Sequence, residues 1–467
     1  MDRFEIKFNE YTPKYIQLSN KIKQMINSNI LKDKEKLPSI RVLSSELNVN
    51  SVTIKNSYRK LMEEGYVDIV QGSGTYVNKI ILNSRVVKDY KDTIKKITPA
   101  VKEDYIDFAK ESLNSDYFPI ESFKEIIIEV LNTYGAEALL YEETLGFMPL
   151  REIISEKFWN CKINKDNILI LSGAQQGIDL ASKVLVNINN NIVIEKPTYN
   201  GALNVFRWRR ANIYDIEIDE HGINVNKLEE LLKKKNIELI YLMTYFQNPT
   251  GISYSDENKE KLLYLAEKYD FFIIEDDYLS ELIYSKNVKY KTLKSMDKND
   301  RVIYIKSFSK IFLPGIRLGY LITPEKLKDS FQNFKINTDI ATSSLMQRTL
   351  KLYMEKDYWV DHVKKMNILY SKKYKLTEKL LNSCLKEKIN FFDPKGGLSF
   401  YLKLKDQVKI DTNQLFYLLK KKNVIITPSS IYYKNPEDGL RNFRISFSGL
   451  SDKQIKDGLF KIRDVLV

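Results

Sequence analysis

Five short apolar runs beyond about Ile106 constrain the fold more than any other feature of this sequence. They are NILILSG (167–173), NIVIEKP (191–197), IELIYLMTY (237–245), FFIIEDD (271–277) and RVIYIKS (301–307), with helical stretches between them. Runs of this length read as buried strands, and their alternation with helices argues for a mostly parallel sheet covered on both faces. In open sheets of this kind a ligand sits beyond the carboxyl ends of the strands. The chemistry is therefore expected at the residues that close these runs.

The last run leads into SFSKIFLPGIRLGY (307–320), which sets Lys310 beside the hydroxyls of Ser307 and Ser309. Arg317 follows after a Pro314-Gly315 turn that can swing the chain back toward the lysine. An amine at a strand end, partly desolvated and close to another cation, has its pKa lowered and can form a Schiff base near neutral pH. In a chain with 74 lysines and arginines a lone lysine is otherwise a solvated charge, so its context carries the reading.

The other runs end in residues of matching character. Ser172, Gly173, Ala174 and Gln175 open a helix whose free amides suit a phosphate, although an ordinary capped helix looks the same. Tyr199 can stack on a flat ring or simply pack. Asn248-Pro249-Thr250-Gly251 also fits a plain β-turn. FFIIEDDY supplies Asp276 and Tyr278, with Glu275 and Asp277 close enough that the acid could be off by one position. Near the C-terminus, NFRISFSG carries Arg444 on an apolar β-run.

What the sequence lacks narrows the choice further. Two cysteines, Cys161 and Cys384, make no disulfide framework, and with His221 and His362 they offer neither a zinc cluster nor the parts of a Ser-His or Cys-His mechanism. A cofactor that brings its own chemistry fits this inventory. The first residues lack a signal-peptide pattern, and no apolar run approaches the ~20 residues needed to span a bilayer, so a cytoplasmic location without membrane contact is expected. The net charge of +13 is compatible with nucleic acid, but it is spread over a lysine-rich composition.

The N-terminal residues give the nucleic-acid reading its substance. Residues 13–28 place Tyr15, Ile16, Leu18, Ile22, Met25 and Ile26 on one helical face. Ser39 can cap a short second helix through about Leu47, and Asn50 or Ser51 a third that runs to about residue 64. Two helices joined by so short a turn have helix-turn-helix dimensions. On the third, Ser51, Thr53, Lys55 and Arg59 can reach bases or phosphates, while Val52, Ile54, Tyr58 and Leu61 are expected to pack. A hairpin follows, tipped by Gly72-Ser73-Gly74, whose bare amides can approach a phosphate. Residues 78–105 mix lysines with acids and read as a linker.

Residues 11–77 closely resemble the GntR-type winged-helix domain. The resemblance implies that Arg41, with Ser39, contacts the DNA backbone and that Gly72, with Ser73, lies near the minor groove. The lysine segment resembles that of fold-type I enzymes of the aminotransferase class I/II family, which use pyridoxal 5'-phosphate. By that resemblance Lys310 carries the cofactor as an internal aldimine, while Ser307, Ser309 and Arg317 hold its phosphate. Ala174 stands where many relatives have a hydroxyl, which leaves its amide and Gln175 to contribute there. Tyr199 would stack on the ring, Asn248 and Tyr278 would face the phenolic oxygen, and Asp276 would meet the pyridine nitrogen. Arg444 would grip a ligand carboxylate. Tyr141, in YEETLGFMPLR with Gly146, would reach the phosphate of a second copy.

The combination resembles the MocR/GabR type of transcription regulator. It implies a winged helix at 1–77, a linker at 78–105, and at 106–467 a fold-type I domain with a large mostly parallel sheet and a smaller C-terminal lobe. A head-to-tail homodimer would bind a double-stranded DNA operator and sense a small amino compound or the cofactor itself. Relatives that answer to γ-aminobutyrate are expected to have an arginine just after the stacking aromatic. Here Asn200 and Gly201 follow Tyr199, which argues against that effector. Two other classes fit the same motifs: a working aminotransferase that carries a DNA-binding domain, and a DNA-binding protein on an inert dimerisation platform.

Overall fold

The computed structural model describes residues 2–6, 8–9, 11–27, 30–32, 34–63, 66–70, 72–77, 105–111, 113–285 and 288–466. Apart from residue 105, the expected linker lies outside the described residues. The chain divides into two compact units, residues 1–100 and 101–467.

The first unit comprises helices α1 (Lys14–Asn27), α2 (Ile40–Glu46) and α3 (Ser51–Glu63) and the antiparallel hairpin β1 (Val67–Val70) and β2 (Gly74–Val77). Side chains cap both helices of the helix-turn-helix. Ser39 accepts from the Val42 amide (3.3 Å) at the start of α2, and Asn50 accepts from the Val52 amide (2.8 Å) at the start of α3. Leu18, Ile22, Met25 and Ile26 of α1 close a core with Leu43, Ile54, Tyr58, Leu61, Val67 and Val77. The Tyr58 hydroxyl also donates to the Pro38 carbonyl (2.8 Å), which ties α3 to the segment before α2. Val52 does not join this core: it is 56% exposed. Two residues along a helix are roughly 200° apart, so Val52 faces away from Ile54. Ser57 takes the buried position instead and donates to the Tyr15 carbonyl (2.9 Å).

The second unit is built on an eight-stranded sheet. Its strands are β3 (Ile168–Leu171), β4 (Asn191–Lys196), β5 (Asn212–Asp219), β6 (Gly222–Ile223), β7 (Leu239–Leu242), β8 (Phe272–Asp277), β9 (Val302–Ser307) and β10 (Gly319–Ile322). They lie in the order β3-β10-β9-β8-β7-β4-β5-β6. All five apolar runs are strands, and they run parallel. Strand β10 runs antiparallel to both neighbours, and β6 is an antiparallel edge against β5. Alternation along the strands divides their side chains between two cores. Val193, Ile240, Leu242, Ile273 and Val302 enter one, while Ile192, Leu239, Tyr241, Ile274 and Ile303 enter the other. Both faces are therefore covered, as the continuous apolar runs require.

A smaller antiparallel sheet follows in the C-terminal part, from β11 (Ile389–Phe391), β12 (Ser399–Leu404), β13 (Thr427–Pro428) and β14 (Asn442–Ser446), in the order β11-β12-β14-β13. The first described residues of the unit are fastened beside it. Ile106–Asp107 pairs in parallel with Val424–Ile425, and the Phe108 carbonyl accepts from the Ser446 amide (2.7 Å). Among the described residues, no helix is long and apolar enough to cross a membrane.

Ile303 is fully buried in the centre of the large sheet. Ile303→Ala is expected to lower the stability of this unit by about 2–5 kcal/mol, read as a fall in denaturant midpoint at unchanged slope.

Candidate functional site

Three strand ends converge on one cradle. In register, Gly319 of β10 lies abreast of Leu171 of β3 on one side and Ser307 of β9 on the other. After β3 the chain passes through Gly173, at φ +102°, into helix α4 (Ala174–Leu185), whose N-terminus has no side-chain cap. Arg317, at φ +50°, donates from Nη1 to Ser309 Oγ (3.2 Å) and from Nη2 to the Ser172 carbonyl (3.0 Å). Ser309 in turn donates its amide to Ser307 Oγ (3.2 Å). Glycine is favoured at two points. Gly173 holds a φ that L side chains rarely adopt, and a Cβ on Gly319 would stand 2.5 Å from the Lys306 carbonyl oxygen. The result is a cation, two hydroxyls and an uncapped helix N-terminus, which together suit an anion. Ala174 and Gln175 open α4 as expected, and Gln175 also accepts from the Tyr199 hydroxyl (3.3 Å).

Lys310 lies three residues beyond β9, half-buried, and its Nζ donates to the backbone carbonyl of Glu111. Burial holds its pKa below the ordinary lysine value. The Glu111 carboxylate opposes that shift, while Arg444 and Lys110 add to it. The cations acting on the lysine are thus Arg444 and Lys110, whereas the sequence had suggested Arg317.

Three adjacent acids close β8, and their partners tell them apart. Glu275 accepts from Thr244 Oγ1 (2.6 Å) and from the amides of Leu293 (2.8 Å) and Lys294 (2.9 Å). Asp277 accepts from Lys306 (3.0 Å), Ser280 (2.7 Å), Tyr290 (2.7 Å) and Tyr304 (2.6 Å). Asp276 points to the other face, where its Oδ2 accepts from the Tyr241 hydroxyl (2.6 Å) and its buried Oδ1 has no partner among the described residues. Burial pushes its pKa up to about 7; the Tyr241 hydrogen bond resists that rise and Asp277 adds to it. An acceptor left open at full burial fits a donor supplied by a bound group.

The remaining residues are placed as follows. Tyr199 is half-buried at the start of helix α5 (Asn200–Trp208). The Tyr278 hydroxyl donates to the Phe246 carbonyl (3.1 Å). Asn248 accepts at Oδ1 from Arg444 Nη1 (3.0 Å). Arg444, on β14, also lies 3.6 Å from Glu111 Oε2, and both side chains are buried. Tyr141 is separate from this cluster in its surroundings, being 86% exposed. In the first unit Ser39, Arg41, Ser51, Lys55 and Arg59 of the helix-turn-helix are exposed, and Thr53 is half-buried. Gly72 and Ser73 are exposed at the hairpin tip, with Gly72 at φ +79° and Ser73 Oγ 2.7 Å from the Tyr76 hydroxyl.

Sequence reasoning did not find Tyr241 or Glu111. Tyr241 could have been found from its register, because it follows the same alternation as Ile274 and Asp276 on the adjacent strand. Glu111 left no such signal.

The Asp276 pKa gives a sign to the pH dependence. A carboxyl that binds its proton more tightly folded than unfolded contributes stability at low pH, and this is lost as pH rises from 3.8 to about 7. Asp276→Asn is therefore expected to raise the melting temperature of the cofactor-free protein at pH 8 and to leave it nearly unchanged below pH ~4, by differential scanning calorimetry.

Comparison with known proteins agrees with both halves of this description. Residues 98–462 match the family Aminotransferase class I and II, and residues 14–77 match Bacterial regulatory proteins, gntR family. The chain is 28% identical to the HTH-type transcriptional regulator YdfD of Bacillus subtilis, over 96% of this chain and 95% of that protein. It is 29% identical to the HTH-type transcriptional regulator NorG of Staphylococcus aureus, over 91% and 98%. Among solved structures, the multiple substrate aminotransferase of Thermococcus profundus superposes with a TM-score of 0.75 at 29% identity, covering 81% of this chain and 94% of that one. The chain belongs to the aminotransferase class I and II family and carries a GntR-family domain ahead of it, the fusion of a MocR-type transcription regulator.

Proposed function

We propose that this regulator binds pyridoxal 5'-phosphate at Lys310 and adjusts its hold on operator DNA in response to a small amino compound or to the cofactor itself. In this reading residues 1–77 bind DNA, 78–105 link, and 106–467 bind the cofactor and dimerise head to tail. The observation that carries it is Asp276, a buried acid with one oxygen left over while its two neighbours are fully engaged. That open acceptor, the donor-rich cradle and the lowered pKa of Lys310 fit a phosphorylated, protonated pyridine aldehyde.

When bound, the cofactor supplies an aldehyde that takes an amine and a ring that withdraws electrons from it. The chain's residues bind and orient. Lys310 offers the amine, whose pKa burial lowers. Asp276 Oδ1 would accept from the protonated ring nitrogen. Arg317, Ser307, Ser309 and the first residues of α4, Ala174 and Gln175, take the phosphate, while Tyr199 covers the ring. Asn248, whose Oδ1 is given to Arg444, keeps Nδ2 as the donor for the phenolic oxygen, with Tyr278 beside it. Arg444 stands at the ligand end of the site, and exposed Tyr141 serves the site of a second copy. An effector changes DNA affinity by binding the two arrangements of the protein with different affinity.

Borohydride treatment of the purified protein tests this reading. A visible absorption band that reduction fixes to Lys310, located by peptide mapping, is the expected result; a chain that never takes up added cofactor would sink it. Lys310→Ala is expected to keep operator binding in gel-shift assays and to lose its response to effector. On the DNA side, Lys55→Ala should weaken binding similarly across sequences and reduce the slope of log affinity against log salt by about 1.

A working aminotransferase is the second reading, supported by the likeness to the Thermococcus profundus enzyme. Sustained turnover of an amino acid with a 2-oxo acid would favour it. Stoichiometric conversion that stops after one equivalent would favour the sensor.

A further inference from the structure

Arg444 is already occupied by the chain's own carboxylate. Its Nη1 lies 3.6 Å from Glu111 Oε2, and the two side chains are only 8% and 3% exposed. The same nitrogen donates to Asn248 Oδ1 (3.0 Å), and Nη2 donates to the Ala109 carbonyl (3.1 Å). The segment that carries Glu111 is fastened on several sides. Phe108 donates to the Ile425 carbonyl (2.9 Å) and its own carbonyl accepts from Ser446 (2.7 Å), while Asp107 Oδ1 accepts from the Ala109 amide (2.9 Å). The Glu111 carbonyl then receives Lys310 Nζ. One residue thus touches both the arginine at the ligand end of the site and the lysine at its centre.

We infer that Glu111 sets the ligand class of this site, which is a primary amine without an α-carboxylate. Arg444 has one positive charge, and Glu111 compensates it. A carboxylated ligand would either set a second carboxylate beside Glu111, where like charges meet away from water, or push Glu111 off the arginine and leave it buried without a counterion. A ligand that lacks the carboxylate meets neither obstacle. Glu111 Oε1 has no partner among the described residues and can accept a hydrogen bond from such an amine. Arg444 Nε is likewise unmatched and can donate to a neutral oxygen, although its charge is spent. This inference rests on the reading of Lys310 as the cofactor lysine and deepens it.

The test uses the full-length, cofactor-loaded protein and amines paired with the amino acids that differ from them only by the α-carboxylate. The pairs are phenethylamine with phenylalanine, cadaverine with lysine, and ethylamine with alanine. Binding is read from the shift of the visible spectrum and, independently, from the thermal midpoint. Every pair that responds is expected to favour the amine by about tenfold or more. Glu111→Gln keeps the size and removes the charge, and it is expected to remove the preference by tightening the amino acid about tenfold or more. Glu111→Asp, a carboxylate drawn back by one methylene, should narrow the preference without removing it. Preference of the wild-type protein for the amino acids would overturn the inference, as would a ratio unmoved by Glu111→Gln or silence from every pair. Failure to take up cofactor at all is a different result, because it removes the Lys310 reading first.

Discussion

A buried carboxylate at the end of a central strand sets the terms for the larger unit. Asp276 is buried, and its Oδ1 has no partner among the described residues. A buried acceptor without a donor costs stability. Its neighbours show the contrast. Glu275 and Asp277 share the opposite face of β8, where hydroxyls, backbone amides and Lys306 satisfy them. Two of the three acids are satisfied within the fold, and the third keeps one oxygen without a partner among the described residues.

The cradle follows from how the chain returns after β9. Strand β10 comes back antiparallel beside it, so a residue just before β10 is carried toward the residues just after β9. Arg317 occupies that position and meets Ser309. The approach is close enough that a Cβ on Gly319 would strike the Lys306 carbonyl. An anion site of this kind depends on backbone proximity as much as on the charged side chain.

Local patterns were legible in the sequence. Each of the five apolar runs became a strand, and Ser39 capped the helix it was expected to cap, because period, length and capping chemistry act over a few residues. Where reading faltered, direction was the cause. Val52 was assigned to the core although it lies across the helix from Ile54, and the choice among three adjacent acids needed the two-residue alternation of the strand. Glu111 was illegible for a different reason. The segment that carries it meets Arg444 through a contact 335 residues apart in the chain, between Ala109 and the arginine. Nothing in the composition of either segment announces such a pairing, which exists only once β14 lies beside the first residues of the unit.

The position of Glu111 in the chain also bears on coupling. A ligand that makes equal contacts in two arrangements shifts nothing, however tightly it binds. In the proposed reading the contact that must differ is the one between Lys310 and the Glu111 carbonyl, since whatever engages the lysine gives up that hydrogen bond. Residues 105–111 are the first described residues after 78–104, so the bond lies on the covalent path from the site toward the DNA-binding unit. A single hydrogen bond contributes about 0.5–1.5 kcal/mol net, and coupling between sites is commonly about 1–3 kcal/mol. One bond therefore reaches the lower end of what a ligand-dependent change in DNA affinity requires. A larger response needs a second difference, for which the Glu111 carboxylate at Arg444 is the nearest candidate.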